Sequence, residues 1–209
     1  MVKYHPVYVT KNHSKTDDVT DIYFVDPLWK EGEKNMIESF VFFEELQKSF
    51  NFFNHKYGLN KYILRLPWEF ALIHMDRISK LNSIGLFAIS VDFNNNHELL
   101  SEYIRSHRNY GMEVWFDFCG KHSYTKEIKN LGAFFQACVV PGDNDFINSL
   151  YHCHLFQKIL VGNINYIEQR TMYQNKVDYM YGMQWPSSYD GFSFREHKKY
   201  EMYYIQQKE

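Results

Sequence analysis

Residues 158–169 read KILVGNINYIEQ. An apolar run, Ile159-Leu160-Val161, breaks at Gly162-Asn163, and Asn165 then stands three positions ahead of Glu168, the spacing of a helix N-cap and its acidic partner. The stretch is a strand, a turn and a helix start. In proteins assembled from repeated strand and helix units, the turn beyond a strand's C-terminal end is where catalytic groups sit. Here that turn holds a glycine and two asparagines, which has the look of an active-site loop with its chemistry removed.

The same unit recurs along the chain. Strand-like apolar runs fall at residues 4–9, 21–25, 61–66, 86–93, 112–118, 134–140, 158–162 and 177–184. Helix-like patterns lie between most of them, at 36–55, 69–82, 97–109, 124–131, 144–156 and 165–175. The clearest is 36–55, where Phe43, Leu46, Phe50 and Phe53 recur at three- and four-residue steps and Gly58 follows as a stop signal. Alternation of this kind argues for an α/β fold of parallel strands joined by right-handed crossovers, and about eight strands allow a closed (β/α)8 TIM-like barrel. An open doubly wound sheet is the alternative. The first two strands are joined only by KNHSKTDDVTD, residues 11–21. That link is too short and polar for a crossover helix, so an antiparallel first strand is expected. The expected organisation is one domain over 1–190 and a polar C-terminal tail or helix over 191–209, which contains FSFREHKKYEMYYIQQKE.

The chain has 209 residues, 45% hydrophobic and 23% charged, which suits one globular core of barrel size. Its net charge of -2 and pI near 6.5 supply no global basic surface, so no direct nucleic-acid partner and no anionic membrane partner are expected. The N-terminal MVKYHPVYVT is not an apolar signal segment, and no run approaches the roughly 18 apolar residues of a membrane span. Cys119, Cys138 and Cys153 match no disulfide framework or zinc knuckle. The expectation is a soluble cytoplasmic protein. Aromatic residues make up 19% of the chain, with 18 Phe and 17 Tyr. This is either an aromatic-rich core or a sign that rings reach the surface at an interface. Candidate surface rings are those around Tyr103 to Tyr110, and Tyr200, Tyr203 and Tyr204 in the tail.

Candidate acids at strand ends are Asp92, Asp117 and Asp143. A two-metal hydrolase needs more, with several carboxylates converging on two cations and a further group to manage the attacking water. Asp117, in EVWFDFCG, is a charge at the end of a strongly apolar strand and reads either as a site residue or as a hydrogen-bonded structural aspartate. Asp143 follows a Pro-Gly turn and either belongs to a site or caps the next helix. His152-Cys153-His154 fans out on a helix and alternates on a strand, so one ion does not take all three. No Gly-rich phosphate loop, Ser-His-Asp cue or HExxH pattern is present.

Taken in order, these segments resemble the EAL-type cyclic di-GMP phosphodiesterase domain from Tyr4 to about Pro186. The opening YHPV, 4–7, is similar to that family's YQPI start. GMEVWFDFCG, 111–120, matches its G-x-x-x-x-x-D-D-F-G spacing without a gap, with Asp117 on the first aspartate, Phe118 on the second and Gly120 on the glycine. PGDNDF, 141–146, resembles K-I-D-x-x-F and keeps Asp143 and Phe146. GNINYIEQ, 162–169, falls on E-G-V-E-T-x-x-Q and keeps Ile164 and Gln169, and MYGMQWP, 180–186, resembles the Q-G segment with Gly182 kept.

The departures carry the functional reading. The resemblance places the signature glutamate near Asp21 or Ile22, the metal-binding asparagine on Arg65, and a strand glutamate on Ser90. It places the lysine on Pro141, two further glutamates on Gly162 and Asn165, and the glutamine before glycine on Tyr181. Arg65, Ser90, Asp117, Phe118, Pro141, Asp143, Gly162, Asn165 and Tyr181 are thus expected to be vestigial positions, with no catalytic set, no metal ligands and no cofactor. Replacing anionic ligands with Gly, Ser and a cationic Arg removes the negative field that holds divalent ions. Arg65 is also a candidate for attracting a phosphate of cyclic di-GMP, but Phe118 and Tyr181 are expected to fill the cavity, so binding of that nucleotide is not expected. The Trp185-Pro186 ending is similar to degenerate EAL-like proteins of enteric bacteria that bind a flagellar transcriptional regulator. The resemblance therefore implies a non-catalytic protein that binds a transcriptional or signalling regulator. The alternatives are a cyclic di-GMP receptor without turnover, or an enzyme, either a divergent cyclic di-GMP phosphodiesterase with rearranged ligands or a hydrolase using Asp92, Asp117 and Asp143.

Overall fold

The computed structural model describes residues 3–4, 6–11, 22–27, 39–92, 102–106, 111–118, 135, 137–141, 144–153, 156, 158–162 and 176–180. The expected helices at 124–131 and 165–175 and the tail from 191 lie outside the described residues.

Eight strands close into a barrel in sequence order. They are β1 (Val7–Lys11), β2 (Ile22–Val25), β3 (Tyr62–Pro67), β4 (Leu86–Asp92), β5 (Glu113–Asp117), β6 (Ala137–Pro141), β7 (Lys158–Gly162) and β8 (Tyr179–Met180). From β2 to β8 every neighbouring pair is parallel. β1 runs antiparallel to both β2 and β8, and it meets β8 through Thr10–Met180 and Lys11–Tyr179.

Strand alternation divides the apolar residues into two cores. Ile22, Phe24, Ile63, Ala88, Trp115, Ala137, Val139 and Leu160 fill the barrel interior, with Val9 from β1. Their chain neighbours Tyr23, Val25, Tyr62, Leu64, Ile89, Val114, Phe116, Cys138 and Ile159 face outward into the layer shared with the helices. The N-terminal end of the interior carries a polar cluster. Lys158 Nζ lies 2.9 Å from Glu113 Oε1, and Trp115 Nε1 donates to Glu113 Oε2 at 2.7 Å.

α1 (Ser39–Tyr57) buries Phe42, Phe43, Leu46, Ser49, Phe50 and Phe53, the one-sided stripe that its sequence period requires. Gly58 ends it at φ 69°, donating its N–H to the Asn54 carbonyl, a left-handed C-cap that glycine adopts without a Cβ penalty. The helix is anchored to β3 by Phe50, which stacks on Tyr62 at 4.2 Å, and by Asn54, which accepts from the Tyr62 hydroxyl and donates to the Ile84 carbonyl.

The single helix expected over 69–82 is instead three short pieces: α2 (Trp68–Ile73), α3 (Met75–Lys80) and a 3-10 turn (Leu81–Ile84). The break is at His74, whose backbone leaves the helical region at φ −110°, ψ 25° while its ring packs on Phe70 at 4.5 Å and against Phe43 at 5.7 Å. Two further helices are α4, at 102–106, and α5 (Asn144–Cys153). Among the described residues no helix is long and apolar enough to cross a membrane.

Candidate functional site at the barrel mouth

The C-terminal strand ends bring Arg65, Ser90 and Asp117 together. In register, Arg65 of β3 pairs with Ser90 of β4, and Ser90 with Trp115, two residues before Asp117 on β5. The Asp117 side chain is 1% exposed. A buried carboxylate is stable only when paired and fully hydrogen-bonded, and this one is held by its neighbours. Arg65 Nε donates to Oδ2 at 2.7 Å, Arg65 Nη2 to Oδ1 at 3.3 Å, and Ser90 Oγ to Oδ2 at 2.7 Å.

Asp26, one residue past β2, completes the cluster by accepting from Arg65 Nη1 at 2.7 Å. The guanidinium also lies over the Phe24 ring at 5.2 Å, so it rests on the last aromatic of the interior core. The arrangement is two carboxylates bridged by one fixed organic cation, with side chains from β3, β4 and β5 and from the end of β2.

Asp26 is the site residue that sequence reasoning missed. Its signal was present: a charge directly after the apolar run IYFV and before Pro27 is the same cue that singled out Asp117. The resemblance had drawn attention to Asp21 and Ile22 instead, and Asp21 lies outside the described residues. Pro141 and Gly162 end β6 and β7 and are register partners on the same rim. Asp143, Asn165 and Tyr181 lie outside the described residues.

Two expectations for individual side chains are corrected. Phe118 does not fill the mouth. It follows Asp117 by one position, so it faces the outer layer, where its ring meets Phe116 at 4.7 Å, Phe146 of α5 at 4.9 Å and Phe156 at 6.1 Å. Tyr103 is not a surface ring. It is 3% exposed, meets Trp68 edge-on at 5.0 Å and donates its hydroxyl to the Ala71 carbonyl at 2.9 Å. The exposed large apolar side chains among the described residues are Phe40, Val41, Phe52 and Ile73.

Asp92, the other candidate acid, caps a helix. Its Oδ1 accepts the Trp68 N–H at 2.8 Å, serving the first turn of α2 directly after Pro67. Cys138, on the outward face of β6, is a free buried thiol. Burial, with Asp117 and Asp178 nearby, holds its pKa well above the ordinary thiol value.

Among the described residues, the donor set at the mouth does not fit a pair of divalent cations. The carboxylates that would face such ions are engaged by the Arg65 guanidinium, whose charge opposes a metal at that position. Among the described residues no group of three or more His, Cys, Asp or Glu side chains is arranged to hold a metal ion.

No protein-family model matches the sequence, and no curated protein matches it significantly. Solved structures do match in shape. An EAL domain protein from Listeria monocytogenes EGD-e superposes with a TM-score of 0.55 at 13% identity, over 97% of this chain and 93% of its own. An EAL enzyme in a form bound to cAMP and cyclic di-GMP gives a TM-score of 0.49 at 9% identity, over 86% of this chain and 60% of its own. Tryptophan synthase from M. tuberculosis gives 0.52 at 9% identity, over 66% of this chain and 56% of its own. The first of these likenesses spans nearly the whole of both chains, and the fold is EAL-like, within the wider class of TIM-type barrels.

Proposed function

We propose that this chain is a non-catalytic EAL-like regulatory protein that acts by binding a protein partner, a transcriptional or signalling regulator. The observation that carries the reading is the position of Arg65. Its guanidinium lies between Asp26 and Asp117 at the mouth, where a hydrolase of this fold would direct carboxylates at metal-bound water. A cation supplied by the chain balances those carboxylates but activates no water. A complete barrel that has lost its chemistry retains its surface as the property left to select. The exposed Phe40, Val41, Phe52 and Ile73 favour a protein interface.

Two measurements test this. Purified protein incubated with cyclic di-GMP and Mg²⁺ or Mn²⁺ is expected to yield no linear product. Metal-dependent turnover abolished by Asp117→Ala would overturn the non-catalytic reading. A pull-down from native-host lysate, followed by titration of the recovered regulator, is expected to give saturable stoichiometric binding.

The second reading is a cyclic di-GMP receptor without turnover, favoured by the presence of a cation at the barrel mouth. Against it, Arg65 is already matched by two carboxylates. Calorimetric titration with the nucleotide separates the two readings.

A further inference from the structure

We propose that His74 is a pH-sensitive latch, which holds the elbow between α2 and α3 against α1 and releases it on acidification. The residue ends one helix and begins the next. Its N–H donates to the Phe70 carbonyl at 3.2 Å, and its own carbonyl accepts from the Arg77 and Ile78 N–H groups at 3.0 Å. The elbow is therefore two six-residue helices meeting at one residue outside the helical region. Rings tie it to α1. The imidazole lies 4.5 Å from Phe70 and 5.7 Å from Phe43 of α1, and Phe43 stacks on Phe70 at 5.8 Å. The Arg77 guanidinium lies over the same Phe43 at 5.9 Å and over Phe40 at 5.8 Å, and it donates to Ser39 Oγ at 3.5 Å.

A neutral imidazole suits that setting and an imidazolium does not, because Phe43 would then carry two cations, one of them a guanidinium that never gives up its charge. The ends of α2 and α3 meet at His74, so their short dipoles offset each other there. Attraction of an imidazolium to the rings, about 0.5–2 kcal/mol, works against release. The titratable neighbours on the packed elements are Glu44 beside Phe43 on α1, Glu69 on α2 and Asp76 on α3, all exposed. Among the described residues Arg77 is the charged group that bears on the ring, and with burial it holds the His74 pKa below its ordinary value, so the balance goes against the imidazolium in the closed elbow. An opened elbow solvates the charge. The latch is therefore closed above the ordinary histidine value near 6.5 and loosens as pH falls from there through the lowered one. Helices this short have little stability of their own, which lets the elbow open without the barrel. This inference is independent of the partner-binding reading.

The test is amide hydrogen exchange of the full chain at about pH 7.5 and about pH 5, with each rate divided by the intrinsic rate at that pH. Opening of α2 and α3 amides is expected to rise at the lower pH by at least about threefold and at most about thirty-fold. That ceiling belongs to a histidine of ordinary pKa near 6.5 that protonates only in the open state. Amides of β3 and β4, which flank the elbow in sequence, are expected to keep their protection. His74→Phe, which retains a ring but no titrating group, is expected to lose the rise, and Arg77→Met, which removes the opposing cation, to shrink it. His74→Gln is the second non-titrating variant where His74→Phe does not fold. An elbow whose opening is unchanged at the lower pH overturns the proposal. So does a rise that persists in the non-titrating variant, that is undiminished in Arg77→Met, or that is equal throughout β3 and β4 and thus global.

Discussion

Arg65 closes on Asp117 as a two-pronged clasp, 2.7 Å from Nε to Oδ2 and 3.3 Å from Nη2 to Oδ1, across 52 residues of sequence. Removing the cation takes the paired positive charge from a nearly inaccessible carboxylate, and stranding a buried charge is costly. Arg65→Met is expected to destabilise the fold by about 3–5 kcal/mol. Adding Asp117→Asn to Arg65→Met is expected to restore part of that loss, giving a coupling energy of roughly 1–3 kcal/mol in a denaturant double-mutant cycle. Additive effects would show that the two residues do not act as a pair.

Among the described residues the mouth carboxylates already face the Arg65 cation, so divalent ions are expected to add nothing to the stability of the fold. Melting temperatures measured in EDTA and in millimolar Mn²⁺ at matched ionic strength are expected to coincide. A rise in Mn²⁺ that Asp117→Ala abolishes would contradict the geometry described here.

His74 gives the fold a pH dependence on the acid side. Burial, and then the nearby Arg77, lower its pKa below the ordinary histidine value near 6.5. A base held neutral in the fold binds fewer protons than in the unfolded chain, so its contribution is fully present above that ordinary value. It is lost as pH falls from there through the lowered folded value. His74→Phe is expected to flatten this part of the stability profile between about pH 7 and 5. An unchanged slope in urea melts across that range would refute it.

Gly85 stands at φ +109°, and a Cβ there would lie 2.8 Å from the Asn60 carbonyl oxygen. Both the left-handed backbone and the backbone contact oppose any side chain. Gly85→Ala is expected to cost about 1–3 kcal/mol in equilibrium unfolding, and a neutral result would mean that the β3–β4 junction yields more readily than its geometry indicates.

The parts of this molecule legible in its sequence are those governed by local period. The stripe Phe43, Leu46, Phe50 and Phe53 defined α1, and alternating apolar runs defined the barrel strands. The same period-two rule, applied one residue further at Asp117-Phe118, would have placed Phe118 outside the mouth, since neighbours on a strand face opposite sides. The break at His74 was not legible, because it comes with ring contacts to Phe70 and to Phe43 on another helix. The mouth was half legible. A lone strand-end aspartate and an out-of-place arginine could each be picked out. That one guanidinium would join Asp117 to Asp26 depends on strand stagger, which no local pattern encodes.

The seam between β1 and β8 has a consequence for how the chain is made. Among the described residues Thr10–Met180 and Lys11–Tyr179 are the pairs that join the two strands, so the ring is sealed by residues from opposite ends of the described chain. Closing so long a loop is entropically slow, and it brings few contacts in return. Until β8 pairs with β1 the sheet is not a closed ring, and the edges of β1 and β7 are open to strand addition by other chains. The interval before the seam forms is when the chain is most open to misassembly.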